Sequence, residues 1–243
     1  MTRPTRLFLL CALASLLAAP ARADQFTPAQ RAEIVQIMRD ALKQDPSILR
    51  DAVTAMQDDE AAQQKAKIAA LGNALIAPDD PVGGNPHGDV TIVEFFDTRC
   101  PYCRKLEPAM AQLLARDHGV RLVYKDLPIL GPPSVLGSKA LLAAQKQGGY
   151  EKLRAALMAA PPQTTKAMIK DAAVKLGLDW PRLEHDMDDP AIAVRLDGNV
   201  KLAQSIGVDG TPALVIGGDL LPGAMDLGQL QDAVAGARKG KGK

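Results

Sequence analysis

The chain has 243 residues, enough for one domain with an extension or for two small domains. Apolar residues make up 47% and charged residues 23%, which is ordinary globular composition and argues against general disorder. Lys plus Arg number 29 against 28 for Asp plus Glu, so no charge excess points to a nucleic-acid partner. Three cysteines are too few for a scaffold built from disulfides.

The first predicted element is an export signal at residues 1–23. A basic start precedes an apolar run at residues 7–19, and the tripeptide ARA at residues 21–23 has the small residues that a signal peptidase reads. An uncleaved membrane anchor is the alternative, for which the apolar run is short. Cleavage leaves Cys100 and Cys103 as the remaining cysteines, and we therefore expect a periplasmic protein with two closely spaced thiols.

Residues 24–77 are predicted to form a helical extension. Thr27, followed by a proline and by Gln30, supplies a capping box, and apolar residues then recur at helical spacing in two segments separated at residues 45–46. Residues 57–67 are mostly polar and fit either a solvated helix or a flexible connector. Amphipathic helices without a core of their own must pack on something. The sequence leaves open whether they fold back on the main domain or form an oligomerisation module.

The main domain is predicted to span residues 78–237 and begins with a turn-rich segment at residues 78–89. A β-branched and aromatic run at residues 90–96 indicates a buried strand, followed by a helix at residues 100–118 and a strand at residues 120–124. Helical patterns follow at residues 138–147, 150–158, 164–176, 181–187 and 191–206. The last predicted elements are strands at residues 213–216 and 220–221, a helix at residues 227–237 and a basic tail at residues 238–243. This order predicts an α/β fold with a helical insertion at about residues 134–206.

The motif CPYC at residues 100–103 carries the chemistry. It lies where the first buried strand is followed by its helix, and the unpaired N–H groups at a helix start favour thiolate over thiol at Cys100. Pro101 fits the first turn because a proline has no N–H to leave unpaired. Cys103 lies one turn further and is better shielded. Cys100 can therefore attack a disulfide in another protein, and Cys103 can resolve the mixed disulfide.

Two alternatives to redox chemistry are weaker. A structural disulfide that closes so short a loop removes little chain entropy. A zinc site needs two more ligands, but His87, His118 and His185 lie in separate segments. We therefore expect no metal and no cofactor, and a Cu(I) ion held by the two thiols remains as the alternative of a different class.

The segment EFFDTRCPYC at residues 94–103, together with GTPA at residues 210–213, resembles the thioredoxin-fold DsbA family over about residues 80–237. The resemblance implies a thioredoxin-like fold with a helical insertion. It also implies that Cys100 is the nucleophile and Cys103 the resolving thiol.

The same resemblance implies a substrate-binding surface beside the dithiol. Pro212 would be a cis-proline facing the two cysteines, and Thr211 would present its backbone to an extended substrate, strand to strand. Pro101 and Tyr102, between the cysteines, are expected to contribute to this surface.

Glu94 falls six residues before the motif, where the family has a buried acid beneath the active site. A carboxyl group in an apolar strand should have a raised pKa and could shuttle a proton to or from Cys103. The alternative is a glutamate paired with a base such as Lys125 in the next strand.

The direction of electron flow is predicted from weaker signals. Tyr102 lies between the cysteines and is neutral. The dithiol–disulfide couple is therefore expected to be less oxidising than one with a basic residue at that position. Arg104 and Lys105 are expected to be exposed, with little effect on the thiolate. Threonine at position 211 is similar to the isomerase branch of the family.

The helical extension resembles that of ScsC proteins (suppressor of copper sensitivity C), in which such a segment trimerises the catalytic domains. Oligomers raise the effective concentration of dithiols for shuffling disulfides. We therefore expect a disulfide isomerase or reductase that acts on exported cysteine-containing proteins and is kept reduced by a membrane redox partner. The alternative is a monomeric oxidant recycled by a quinone-linked membrane protein.

Overall fold

The computed structural model describes residues 26–240. The predicted export signal at residues 1–23 and the last three residues of the predicted basic tail lie outside the described residues. The chain divides into two compact units, Met1–Ala55 and Met56–Lys243. Among the residues described, no helix has the length and apolar character needed to cross a membrane.

Two helices follow one another at the start of the described chain, α1 (Pro28–Gln44) and α2 (Ser47–Leu71). Helix α1 begins at the predicted capping box of Thr27 and Gln30. Residues 57–67 are helical throughout, which confirms the solvated helix and excludes the flexible connector. No residue of α1 is buried. Among residues 26–55 of the first unit, the exposed large apolar side chains are Phe26, Ile34, Val35, Ile37, Met38, Leu42, Ile48, Leu49 and Val53.

The second unit contains one five-stranded sheet. Its strands are β1 (Val82–Gly84), β2 (Val90–Phe96), β3 (Val120–Asp126), β4 (Ala213–Ile216) and β5 (Asp219–Pro222). They lie in the order β1-β3-β2-β4-β5, with β2 and β3 parallel and the other neighbours antiparallel. Strands β2 and β4 have their predicted bounds, whereas β1 lies in the segment predicted as turns.

Seven helices of the second unit surround this sheet after a 3-10 turn at Gly72–Leu75. They are α3 (Pro101–Arg116), α4 (Pro132–Gln145), α5 (Tyr150–Ala159), α6 (Lys166–Lys175), α7 (Trp180–Asp186), α8 (Pro190–Ser205) and α9 (Leu227–Gly240). Helix α3 connects the parallel strands β2 and β3, and α4 to α8 form the predicted insertion. The sequence pattern begins α4 at residue 138, whereas the helix begins at Pro132, because prolines fit the first turn of a helix.

Buried side chains form two clusters on opposite faces of the sheet. Ile92 and Phe96 of β2 belong to one cluster and Val93 and Phe95 to the other, because side chains alternate along a strand. Glu94 therefore lies on the face of Ile92 and Phe96. The cluster on that face also contains both cysteines, so the sheet positions a carboxyl group beneath the thiols.

Arg238 fixes the C-terminal helix to the rest of the second unit. Its guanidinium donates to both carboxylate oxygens of Asp89 at 2.7 and 2.9 Å and to both of Asp117 at 2.7 and 2.8 Å. Helix α9 continues to Gly240. Residues 238–240, predicted to belong to a basic tail, are therefore helical, since two distant carboxylates hold the end of the helix in place.

We expect Arg238→Ala to lower the thermal midpoint of unfolding by about 2–4 °C, because it removes two bidentate ion pairs that join distant parts of the chain. The matched control is Lys239→Ala, in which the neighbouring exposed cation is removed. Thermal unfolding followed by circular dichroism measures both variants. Equal midpoints for the two would contradict this role of Arg238.

Candidate active site

The CPYC motif lies at the start of α3, directly after β2. Cys100 is the N-cap residue, with extended backbone angles, and Pro101 is the first helical residue. The Cys100 N–H donates to the Asp97 carbonyl at 3.0 Å, and the Cys100 carbonyl accepts the N–H of Arg104 at 3.2 Å. The first turn of a helix carries unpaired N–H groups and the positive end of its dipole. The sequence prediction that this end lies at Cys100 is therefore confirmed.

The two cysteines are free thiols in different surroundings. Cys100 keeps 5% of its surface exposed and Cys103 none, so the first thiol is the more accessible. Burial raises the pKa of Cys103 well above its usual range, and the negative charges of Cys100 and Glu94 act in the same direction. Hydrogen bonds from the Asp97 backbone and the Thr211 side chain oppose this rise. Cys103 is therefore protonated at neutral pH and needs a base before it can attack.

The loop before β4 lies next to the CPYC motif, although more than a hundred residues separate the two along the chain. The Thr211–Pro212 peptide bond is cis, as the resemblance implies. The Cys100 thiol donates to the Thr211 carbonyl oxygen, with 3.1 Å between sulfur and oxygen. Pro101 and Tyr102 are exposed beside this contact, Tyr102 by 62%. These four residues therefore border the accessible thiol, and their part in substrate binding stays a prediction.

Glu94 is fully buried and pairs with Arg154 of α5, with 3.1 Å between Oε2 and Nη2. The predicted alternative of a glutamate paired with a base is therefore confirmed, but Lys125 is the wrong partner. Tyr124 lies opposite Glu94 in the register of β2 and β3, so Lys125 belongs to the other face of the sheet. Lys125 instead pairs with Asp80, with 2.6 Å between Nζ and Oδ2.

Burial raises the pKa of Glu94 to about 7, as the sequence predicts. The charge of Arg154 opposes this rise, whereas the negative charges of Glu107 and Asp126 add to it. Glu94 and Cys103 act on each other electrostatically, and the transfer of a proton between them stays a prediction.

Arg154 is a residue of the site that the sequence reasoning missed. Its guanidinium also donates to both carboxylate oxygens of Glu107, at 2.6 and 2.9 Å. The guanidinium carbon lies 4.5 Å from the ring centroid of Phe96 and 4.3 Å from that of Tyr124, within cation–π range. The signal that could have found it is a charged residue on the apolar face of a predicted helix. Arg154 fixes the orientation of the Glu94 carboxylate.

The prediction that Arg104 is exposed is wrong. It is half-buried, not exposed, because its guanidinium donates to backbone carbonyls at the end of α5. Such carbonyls have no partner within their own helix. Lys105 is exposed, as predicted.

The three histidines lie in chain segments other than the strand and the helix start that carry Glu94 and the two thiols. His87 precedes β2, His118 follows α3 and His185 lies in α7. Within residues 26–240, no group of three or more His, Cys, Asp or Glu side chains is placed to hold a metal ion.

Comparisons with known proteins agree with this geometry. Residues 91–235 match the family described as DSBA-like thioredoxin domain. Residues 30–63 match the family described as copper resistance protein ScsC N-terminal domain. The predicted resemblance and the thioredoxin-like fold are confirmed.

Solved structures and curated sequences add individual relatives. A thioredoxin-like oxidoreductase from Silicibacter pomeroyi is 43% identical, with a TM-score of 0.66 over 68% of this chain and 95% of that chain. A linker-deletion mutant of Proteus mirabilis ScsC is 28% identical, with a TM-score of 0.67 over 89% and 99%. The Na⁺/H⁺ antiporter NhaA 1 of Salinispora arenicola is 32% identical over 68% of this chain but only 26% of its own length. The chain thus spans about a quarter of the curated antiporters that it matches.

These matches cover the dithiol, the strand beneath it and the extension before it. The chain therefore belongs to the DsbA-like thioredoxin family of thiol–disulfide oxidoreductases and carries an ScsC-type segment N-terminal to that domain.

Proposed function

We propose that the protein exchanges disulfides with exported cysteine-containing proteins in the periplasm, with Cys100 as nucleophile and Cys103 as resolving thiol. The observation that carries this proposal is the position of Cys100. Its thiol is the more exposed of the pair, lies at the start of a helix and is 3.1 Å from the carbonyl oxygen of Thr211. An extended substrate that pairs with the Thr211 backbone would bring its own sulfur to Cys100.

The first step is attack by the Cys100 thiolate on a substrate disulfide. The S–S bond of the substrate breaks, a mixed disulfide with Cys100 forms, and one substrate sulfur leaves as a thiolate that takes up a proton. A second substrate thiolate can attack this mixed disulfide at the substrate sulfur. That attack forms a new substrate disulfide and restores Cys100, so the net result is isomerisation.

Reduction uses the second cysteine. Glu94 accepts the proton of Cys103, and the resulting thiolate attacks the sulfur of Cys100. The mixed disulfide breaks, the substrate leaves as a thiolate, and a Cys100–Cys103 disulfide remains. The substrate has gained the two electrons that the dithiol has lost. The reverse sequence oxidises a substrate dithiol.

We place the protein on the isomerase and reductase side of this chemistry. Neutral Tyr102 between the cysteines, Thr211 before Pro212 and the ScsC-type extension support this direction. A membrane redox partner would then keep the dithiol reduced. The alternative remains a monomeric oxidant recycled by a quinone-linked membrane protein.

Refolding of a substrate with scrambled disulfides tests this direction. The reduced protein, without added oxidant, should restore the activity of a scrambled ribonuclease, because only a reduced Cys100 can begin isomerisation. Recovery no faster than with glutathione alone would overturn the isomerase assignment. An oxidised form that oxidises reduced ribonuclease quickly would then support the oxidant.

Cu(I) binding is a second candidate, favoured by the description of the N-terminal family and by two reduced thiols three residues apart. Titration of the reduced protein with Cu(I) against a competing chelator measures it. If Cys103→Ser kept both Cu(I) and the biological function, metal binding would replace disulfide exchange as the function.

The first unit is proposed to join several copies of the chain. Ile37 in α1 and Leu49 in α2 are 61% and 60% exposed, and burial of such side chains stabilises association. We expect an oligomer in solution that Ile37→Lys or Leu49→Lys dissociates, because a buried ammonium group is costly. The control is Gln44→Lys, which adds the same charge at an exposed polar position. Analytical ultracentrifugation measures the mass, and a monomeric native protein would contradict the proposal.

A further inference from the structure

Arg104 is a cation in a fixed position next to the dithiol. It follows Cys103 directly, and its backbone N–H donates to the carbonyl of the N-cap residue Cys100 at 3.2 Å. Its two Nη atoms donate to four backbone carbonyl oxygens. These are Thr98 at 2.7 Å, Leu157 at 3.1 Å, Met158 at 2.8 Å and Ala160.

The four acceptors explain why this arginine stays in place. Three of them are carbonyls at the C-terminal end of α5, where the helix dipole is negative and the carbonyls lack partners within the helix. The fourth belongs to Thr98, two residues before Cys100. The Nε atom of Arg104 is buried without a hydrogen-bond partner. The guanidinium is thus held rigidly, and one of its donors is not matched by an acceptor.

The charge of this guanidinium acts on the cysteines. Burial lowers the pKa of Arg104 and so does the charge of Arg99, whereas the negative charges of Asp97, Cys100 and Cys103 raise it. Electrostatic interaction is reciprocal. A thiolate that stabilises the guanidinium is therefore stabilised by it to the same extent. Arginine remains protonated throughout the physiological range.

We propose that Arg104 is a positioning residue whose fixed positive charge stabilises the Cys100 thiolate and thereby the reduced form of the dithiol. The proposal rests on the proposed function, because it concerns the same two cysteines. When two glutathione molecules reduce the Cys100–Cys103 disulfide, one glutathione disulfide forms and Cys100 gains the charge that Arg104 stabilises. Arg104 thus supplies the effect that neutral Tyr102 does not, so the Cys100–Cys103 disulfide is more oxidising than Tyr102 alone indicates.

Redox equilibria of matched variants test this proposal. The native protein, Arg104→Gln, Arg104→Lys and Lys105→Gln are equilibrated in glutathione buffers at pH 7, and the disulfide fraction is measured by alkylation and mass spectrometry. Arg104→Gln should shift the equilibrium about three- to tenfold toward the disulfide, since a neighbouring cation favours the thiolate. Lys105→Gln removes the adjacent exposed cation and should change the equilibrium less than about twofold.

Arg104→Lys separates charge from packing. Lysine keeps the charge but not the planar fork, so its redox equilibrium should stay within about twofold of native even if the unfolding midpoint falls. If Arg104 had only a structural role, Arg104→Gln would change the stability of the protein but keep the native redox equilibrium constant. That result would overturn the proposal. If Arg104→Gln does not fold, Arg104→Lys decides: a shift of about tenfold toward the disulfide contradicts a charge effect.

The proposed function is tested apart from this inference. Insulin reduction by the native protein measures disulfide exchange directly, with no variant involved. If the native protein does not catalyse it, the proposed function fails. If it does, and Arg104→Gln has the native redox equilibrium, the role of Arg104 alone is wrong.

Discussion

Replacing Cys103 with serine should stop turnover and leave the protein joined to its substrate through Cys100. The mixed disulfide forms in the usual way, but the buried thiol that would resolve it is absent. We expect multiple-turnover reduction of insulin to fall by at least about 10²-fold, because the two thiols act as a unit. Non-reducing electrophoresis followed by mass spectrometry detects the trapped complex and identifies the linked cysteine.

Cys100→Ser is the matched control for this experiment. Its remaining thiol is fully buried and protonated, so neither a complex nor turnover is expected. Trapping through Cys103 in Cys100→Ser, or undiminished turnover in Cys103→Ser, would reverse the assigned roles of the two cysteines.

Replacing Glu94 with glutamine should slow the resolving step and remove its dependence on pH near neutrality. The pKa of Glu94 is raised to about 7, so the fraction of carboxylate that can accept the Cys103 proton rises as the pH increases from 6 to 8. The native rate should therefore rise through this window, and the rate of Glu94→Gln should stay flat and about 10²-fold lower at pH 8. Stopped-flow fluorescence of single-turnover reduction measures the step.

Two controls distinguish Glu94 from the acids around it. Glu107→Gln removes a negative charge that raises the pKa of Glu94. The rate of the resolving step in this variant should therefore rise at lower pH and still reach the native rate at high pH. Asp126→Asn tests the other buried acid, because burial raises the pKa of Asp126 to about 6. The rate of the resolving step in this variant should still rise near pH 7. A Glu94→Gln profile that still rises like the native one would exclude Glu94 as the proton acceptor.

Much of the fold follows from hydrophobic patterns in the sequence. Strands β2 and β4 are buried on both faces, so β4 is a continuous apolar run and β2 is one that only Thr91 and Glu94 interrupt. Strand β1 has the sequence VGG, which carries no apolar alternation, and only its pairing with β3 makes it a strand. Residues 57–67 left two interpretations open because a polar segment buries too little surface to identify a helix.

The candidate site combines features that the sequence contains with features that only packing decides. The motif and its helix start can be recognised locally, whereas the approach of Thr211 to Cys100 joins distant segments and was expected from resemblance alone. The register of β2 and β3 excludes Lys125 as the partner of Glu94. The packing of α5 against the sheet then supplies Arg154, and a sequence pattern does not show which helix will cover a buried carboxylate.

Catalysed disulfide exchange with another protein is the central activity proposed for this chain, and insulin reduction by the native protein measures it directly. With glutathione as the final reductant, we predict a rate well above that of glutathione alone, abolished in Cys100→Ser. A native rate equal to that of glutathione alone would contradict this activity, since the Cys100 thiol at the start of α3 would then have no catalytic use.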